Sequence, residues 1–424
     1  MRRRWSLCYA TDFQSLMYPC FICNRIFGIF PYKLNGSTFE ISKLCCILSI
    51  TAICVCCVIN FVLIYHTVKS NINFGNVIWN IQTIMYSIIT SFIMIITHIL
   101  NIPRMRLLQT ILEVSSKLPT ESYQKLSKWI HVKDISCNII RVVHFIMYLF
   151  KVLKFEDTFY TILIRVFTIY LALLILQIIL LYVNCVCVLK ACFKRINVSL
   201  VNMRKFVLND TKPRVSNVLW HRNQFSLIEL RVLKKQHLMI SDAVQMLNMI
   251  FNLQLLAIIV MLFLSFIFEL YIYTIRWQNG VFFGMEWRSL DVLLLSMIYK
   301  IFMITLVVWA CETCKNQAGE IGTAIHDFLN STNNEKIKCE LQQFSLQILH
   351  RKNTFSVKGF NIDATLLATV SKRSLVVNIK ILIILYEFVL LLDSEECYHV
   401  LPDNNTIFKF IAFLQHENSN QYTI

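Results

Sequence analysis

Residues 41–65 read ISKLCCILSITAICVCCVINFVLIY, a run in which Lys43 is the only charged side chain. A helix that crosses a bilayer needs about 20 mainly apolar residues, and this run exceeds that length. Working outward, runs of similar character lie at roughly 77–100, 135–153, 161–189, 249–275 and 290–313. A further one at 374–392 reads SLVVNIKILIILYEFVLLL. The run at 135–153 is the weakest, because Arg141 and His144 interrupt it. With that run counted, seven spans are expected; without it, six.

Composition agrees with this reading. Of 424 residues, 56% are hydrophobic and 16% charged, where a soluble chain carries about a quarter charged. Mean hydropathy is +0.58. Those values exclude a disordered chain and argue against a soluble multidomain enzyme. With 8 Gly and 6 Pro, collagen-like or linker-rich architectures are excluded too. The expected fold class is all-α: a polytopic membrane protein with seven transmembrane helices and cytoplasmic helical extensions.

The net charge is +16, from 41 Lys and Arg against 25 Asp and Glu. In a soluble chain this would suggest nucleic acid, but no basic-aromatic cluster stands outside the apolar runs, so no nucleic-acid partner is expected. The charges sort by connection instead. Residues 1–40 and the connections 100–134, 190–248 and 314–363 hold 28 Lys and Arg, against 5 in the alternate connections. Basic residues stay on the cytoplasmic side, so the N-terminus is expected inside and, with seven spans, the C-terminus outside. A G-protein-coupled receptor has the opposite orientation. A transporter would show internal repeats or broken helices, and neither is visible.

The expected organisation is a cytoplasmic N-terminus at 1–40 and six helices over 41–313, including a helical cytoplasmic connection at 190–248. A cytoplasmic anchor segment follows at 314–363, then a seventh helix at 364–392 and an extracellular tail at 393–424. Residues 225–250 carry Leu227, Leu230, Leu233, Leu238, Ile240, Val244 and Leu247 at helical spacing, and 317–350 do likewise. These read as helices that continue the membrane spans and pack as a bundle, with surface-lying helices as the alternative.

Most of the 16 Cys lie in apolar stretches and read as packing residues. Cys20-x-x-Cys23 and Cys311-x-x-Cys314 lack a second pair at zinc spacing, so no metal is expected. No catalytic triad, paired carboxylates or phosphate loop appears, so neither enzyme nor cofactor is expected. The sequons at Asn35, Asn197, Asn209 and Asn330 fall on the expected cytoplasmic side; Asn404 falls outside.

Several stretches resemble the insect gustatory receptor family. Arg25-Ile26-Phe27-Gly28-Ile29-Phe30-Pro31-Tyr32 resembles the family's entry to the first span, with Gly28 in the motif. LRVLKKQHLMISDAVQMLNMIF, residues 230–251, resembles the pattern before the fifth span through His237, Leu238, Asn248 and Phe251. LQQFSLQILHRKNTFSVKGFNIDATLL, residues 341–367, resembles the segment before the last helix; Phe344, Gln347, His350, Phe355, Gly359, Asp363 and Leu366 match. The resemblance implies a ligand-gated cation channel in the plasma membrane of chemosensory neurons. It would open on a small-molecule tastant and need no G protein. It would be a homo- or heterotetramer joined through the cytoplasmic bundle, with the last helix lining the pore. A related odorant receptor subunit is the runner-up, and GFNIDATLL favours the gustatory branch.

The last helix departs from the family's Thr-Tyr…Gln-Phe pattern. Matching its end to Glu387-Phe388 puts Lys380 and Ile381 at the Thr-Tyr positions. Arg373, Lys380 and Glu387 recur every seven residues and share one helix face. The candidate pore residues are Lys380, Ile384, Glu387 and Phe388. Four copies of Lys380 around an axis would repel cations. Either Lys380 turns to an interface or pairs with Glu387, or the segment is not a working pore helix. A third reading takes residues from near 370 as translated intron, since Val370-Ser371 can be encoded by a splice-donor sequence, and makes the chain a mis-spliced, non-functional product.

A ligand pocket would draw on polar and aromatic groups in the outer halves of the spans. The candidates are Trp79, Tyr86, Tyr148, Tyr170, Glu269, Tyr271, Tyr273, Trp287, Asp291 and Tyr299. The competing reading is an aromatic belt at the membrane surfaces. Lys300 lies mid-span with no evident partner, and Arg141 and His144 read as packing or water-facing groups.

Overall fold

The computed structural model describes residues 8–35, 38–69, 77–152, 159–208, 216–278, 287–351, 353–357 and 360–362. The elements run α1 (Phe13–Ile26), β1 (Tyr32–Asn35), β2 (Thr38–Ile41), α2 (Lys43–Val68), α3 (Val77–Ile99), α4 (Asn101–Ser115) and α5 (Thr120–Val152). They continue with α6 (Phe159–Leu208), α7 (Ser216–Gln278), α8 (Trp287–Ser331), α9 (Glu335–His350), β3 (Ser356–Val357) and β4 (Phe360–Asn361). The strands form two small antiparallel hairpins, β1 with β2 and β3 with β4. Among the described residues, everything else of size is helix.

Among the described residues five helices are long and apolar enough to cross a membrane: α2, α3, α6, α7 and α8. The span expected at 135–153 lies in α5, whose last part falls outside the described side chains. The span expected at 374–392 lies outside the described residues, as do Gly359, Asp363, Lys380, Ile384, Glu387 and Phe388. A count of seven is therefore not reached here. The connection at 100–134 is itself helical except for a short turn, holding α4 and the first half of α5. The break between α3 and α4 follows from Pro103, which cannot donate to the carbonyl of Ile99; in the first turn of α4 that loss costs little.

At 50, 63 and 45 residues, α6, α7 and α8 measure about 75, 95 and 68 Å at 1.5 Å per residue. A hydrocarbon core is about 30 Å thick, so each helix continues well beyond it. These extensions pack with α9 into a bundle. The expected amphipathic stretch at 225–250 is an unbroken part of α7, and 317–331 is an unbroken part of α8. A break at Thr332–Asn334 then starts α9, where Asn334 Oδ1 caps the helix by accepting from Lys336 N at 3.0 Å and Ile337 N at 3.3 Å. One face of α9 carries Ile337, Leu341 and Phe344, all fully buried. Facing them are Ile321, Ile325 and Phe328 of α8, equally buried. Apolar spacing of three and four on both helices makes this core.

The first forty residues form more than a tail. A capping box joins Asp12 and Ser15 at the start of α1. His131 of α5 bonds the Leu16 carbonyl at 2.9 Å and accepts from Cys8 N at 3.0 Å. Gly28 sits at φ +73°, a backbone region that favours glycine, and its carbonyl accepts from Ser49 Oγ of α2. Tyr32 Oη donates to the Asn101 carbonyl at 2.6 Å, and burial pushes its phenol up to about 12.

Candidate functional site

Polar side chains of four membrane helices meet inside the apolar bundle. Glu269 of α7 forms an ion pair with Lys300 of α8, and each side chain is 9% exposed. Ser296, one turn before Lys300, donates to Glu269 Oε1 at 2.9 Å and accepts from Lys300 Nζ at 3.1 Å. Lys300 thus has the partner that sequence spacing left open. Arg141 of α5 lies 4.9 Å from the centre of the Tyr299 ring, and its Nη1 reaches His144 Nδ1 at 3.5 Å. Tyr86 of α3 is within electrostatic reach of both Arg141 and Tyr299. Counted from the run ends at 77, 275 and 290, Tyr86, Glu269 and Lys300 lie roughly 9–15 Å along their helices, on the same side of the bundle.

This cluster holds unsatisfied polar atoms. Among the described residues, Tyr86 Oη, His144 Nε2, Glu269 Oε2 and Gln82 Oε1 are buried without a hydrogen-bond partner. An unpaired polar atom in a low-dielectric interior costs roughly 1–3 kcal/mol, so their convergence fits a site that receives another molecule.

The candidate residues divide. Tyr86, Glu269 and Tyr299 belong to the cluster. Tyr271 is buried and Tyr273 half-buried further along α7, and Tyr148 is half-buried on α5. Tyr170 points elsewhere: its hydroxyl donates to the Phe27 carbonyl at 3.2 Å and its ring lies 5.7 Å from Phe27. It holds the N-terminal segment to α6. The side chains of Trp79, Trp287 and Asp291 lie outside the described residues. In the sequence Arg141 reads as a packing or water-facing group; the signal that marks it is a guanidinium and an ammonium on two spans with one carboxylate between them.

A second polar region lies where α7 meets α9. His237 is fully buried, with its ring 5.4 Å from Phe344 and 5.9 Å from Phe193. Gln347 Nε2 approaches His237 Nδ1 at 3.2 Å and donates to the Lys234 carbonyl at 3.0 Å. Burial lowers the imidazole to about 4, so it is neutral near pH 7. Asn248 Nδ2 donates to the Thr354 carbonyl at 2.7 Å. Beside it a polar cleft of about 440 Å³ is lined by Ser241, Gln245, Asn252, His350 and Asn353 among others. These are the motif residues His237, Asn248, Phe344 and Gln347, and their role is to fasten α9 and the following hairpin to α7.

A third network joins α5 and α6. Lys133 pairs with Asp134 and donates to Asn184 Oδ1 at 2.9 Å, while Asn184 donates to Asp134 Oδ2 at 2.7 Å. It closes on itself and ties α5 to α6. Cys311 and Cys314 are free buried thiols, and Cys311 Sγ lies 3.2 Å from Tyr182 Oη.

Comparison with known proteins gives three findings. The family model described as 7tm Chemosensory receptor matches residues 17–389. A curated protein from Drosophila melanogaster, putative gustatory receptor 28b, is 30% identical over 139 residues, which is 32% of this chain and 30% of that protein. The match thus spans less than a third of that relative. The solved structure of the insect olfactory receptor OR5 from Machilis hrabei superposes with a TM-score of 0.64 at 13% identity, covering 88% of this chain and 97% of the other. The same receptor in complex with eugenol gives 0.64 at 11% identity, over 88% and 98%. At those identities the likeness is one of fold.

Proposed function

Because the chain belongs to the 7tm chemosensory receptor family, we propose that it is a gustatory receptor, a tastant-gated non-selective cation channel of the plasma membrane. The observation that carries this reading is the cluster of Tyr86, Arg141, Glu269, Tyr299 and Lys300, drawn from four membrane helices and holding buried, unsatisfied polar atoms. The eugenol complex of the superposing receptor supports a small-molecule ligand in this fold. With the basic connections inside, the cluster opens toward the outer surface. Ligand bound there stabilises an open arrangement by binding it more tightly than the closed one. α7 and α8 run without a break from the cluster into the α6–α9 bundle, so a displacement at Glu269 or Lys300 is transmitted along rigid helix. The bundle is the surface on which subunits assemble as a tetramer, and the helix after residue 363 lines the pore.

The test is current recording in cells expressing the full chain, with a tastant panel. A parallel version has the Thr-Tyr…Gln-Phe pattern restored in its last helix. Ligand-evoked cation current from either supports the channel; none from both defeats it. Current only from the restored version identifies the native last helix as the defect, as the mis-spliced reading requires. The OR5 superposition favours a second reading, an odorant receptor subunit. Response to volatile odorants but not tastants decides for it.

A further inference from the structure

We infer that the membrane cluster takes a small organic anion, with carboxylates the fitting class; the inference rests on the reading of this cluster as the ligand site. Its formal charges are two cations, Arg141 and Lys300, against one carboxylate, Glu269. Lys300 is spoken for, by Glu269 and Ser296. Arg141 is not: its contacts are the face of Tyr299 and Nδ1 of His144, and no carboxylate bonds it among the described residues. A guanidinium has only donors and presents a planar fork that matches a carboxylate at two points. A charge in a membrane interior is held in place by a partner, and no carboxylate among the described residues supplies one to Arg141.

The orphaned atoms around Arg141 have the right polarity. Because Arg141 can only donate, His144 Nδ1 accepts, and the ring proton sits on Nε2, a buried donor beside the Val292 backbone of α8. Tyr86 Oη is a second buried group able to donate. Together with the guanidinium they offer donors from α3 and α5 to one oxyanion. Glu269 Oε2 is the opposing feature, an unsatisfied acceptor on the Lys300 side. It disfavours a second carboxylate close to α7 and places the anion on the Arg141 side. A neutral ligand would leave the guanidinium unpaired, and an amine would meet two cations to reach one carboxylate.

Binding is measured on the full chain in nanodiscs of zwitterionic lipid, by thermal shift against probe concentration. The probes are benzoate and hexanoate, with benzamide, hexanamide and hexylamine as size-matched controls. Benzoate is expected to half-saturate at a concentration about ten-fold below benzamide, since a charge-assisted pair replaces a neutral one. Arg141→Gln should bring benzoate to the benzamide level while Arg141→Lys keeps a preference. Glu269→Gln removes the carboxylate and should tighten benzoate, an effect opposite in sign to a loss of fold. Equal or tighter binding of the amides or the amine, an unchanged carboxylate preference in Arg141→Gln, or no saturable carboxylate binding overturns the inference. Tastant-evoked current that benzoate and hexanoate neither evoke nor compete with overturns it too, and leaves the channel reading intact. Saturable carboxylate binding without current does the reverse.

Discussion

Lys300 and Lys234 each meet a glutamate, Glu269 in the membrane and Glu340 in the helical extension, and the two pairs are different devices. In the first both side chains are 9% exposed. In the second Lys234 is 24% exposed, and Glu340 bonds Lys234 at 2.9 Å and Arg231 at 2.7 Å, the latter 65% exposed. The hydrogen bond from Lys234 is the chief cause that holds the Glu340 carboxyl below its ordinary range. The membrane half keeps its charges inside and its apolar side chains toward lipid. The extension keeps its charges on the rim and its aromatic residues inside. Stability in the extension comes from the core, and in the membrane cluster from charges that cannot be left alone.

Breaking each half shows the contrast. Phe344→Ala, in the fully buried face of α9, should cost about 4 kcal/mol, read as a lower unfolding midpoint and faster proteolysis of the extension. Glu269→Ala leaves Lys300 unpaired in the membrane and should cost about 3 kcal/mol, the low end for a broken buried pair because an unfolded chain in lipid also finds partners. Glu269→Gln combined with Lys300→Met should recover most of that loss in the same denaturation assay. Acid sharpens the comparison next. His237 is lowered to about 4 in the fold, so between its ordinary value near 6.5 and 4 the unfolded chain takes up a proton that the folded one does not. The extension should lose stability as pH falls through that window and regain it as pH rises. His237→Gln should flatten the dependence there, leaving the fall below the ordinary carboxylate range that Glu340 contributes. Smallest is Arg231→Ala on the exposed rim: about 0.5 kcal/mol, shrinking further in salt.

Much of the fold was legible because membrane helices announce themselves by length and hydropathy. The runs at 41–65, 161–189, 249–275 and 290–313 are α2 and the apolar parts of α6, α7 and α8. The spacing of Leu230, Leu233 and Leu247 foretold that α7 continues outside the bilayer. Pairings between helices were not legible. Lys300 and Glu269 are 31 positions apart on separate helices, and no pattern within either helix says which faces turn toward each other. For the same reason the spacing gives no sign that Tyr170 turns to Phe27 or that Arg141 lies over Tyr299. The β1–β2 hairpin went unseen because its strands are four residues each, too short to separate from a tail, and α1 because Pro19 interrupts its pattern.

The way the amino-terminal segment is fastened bears on how the chain is made. Leu16 is held by His131, Phe27 by Tyr170 and Tyr32 by Asn101. Each anchor leaves the ribosome long after the residue it receives. This segment thus finds its place only after the middle of the chain has been made.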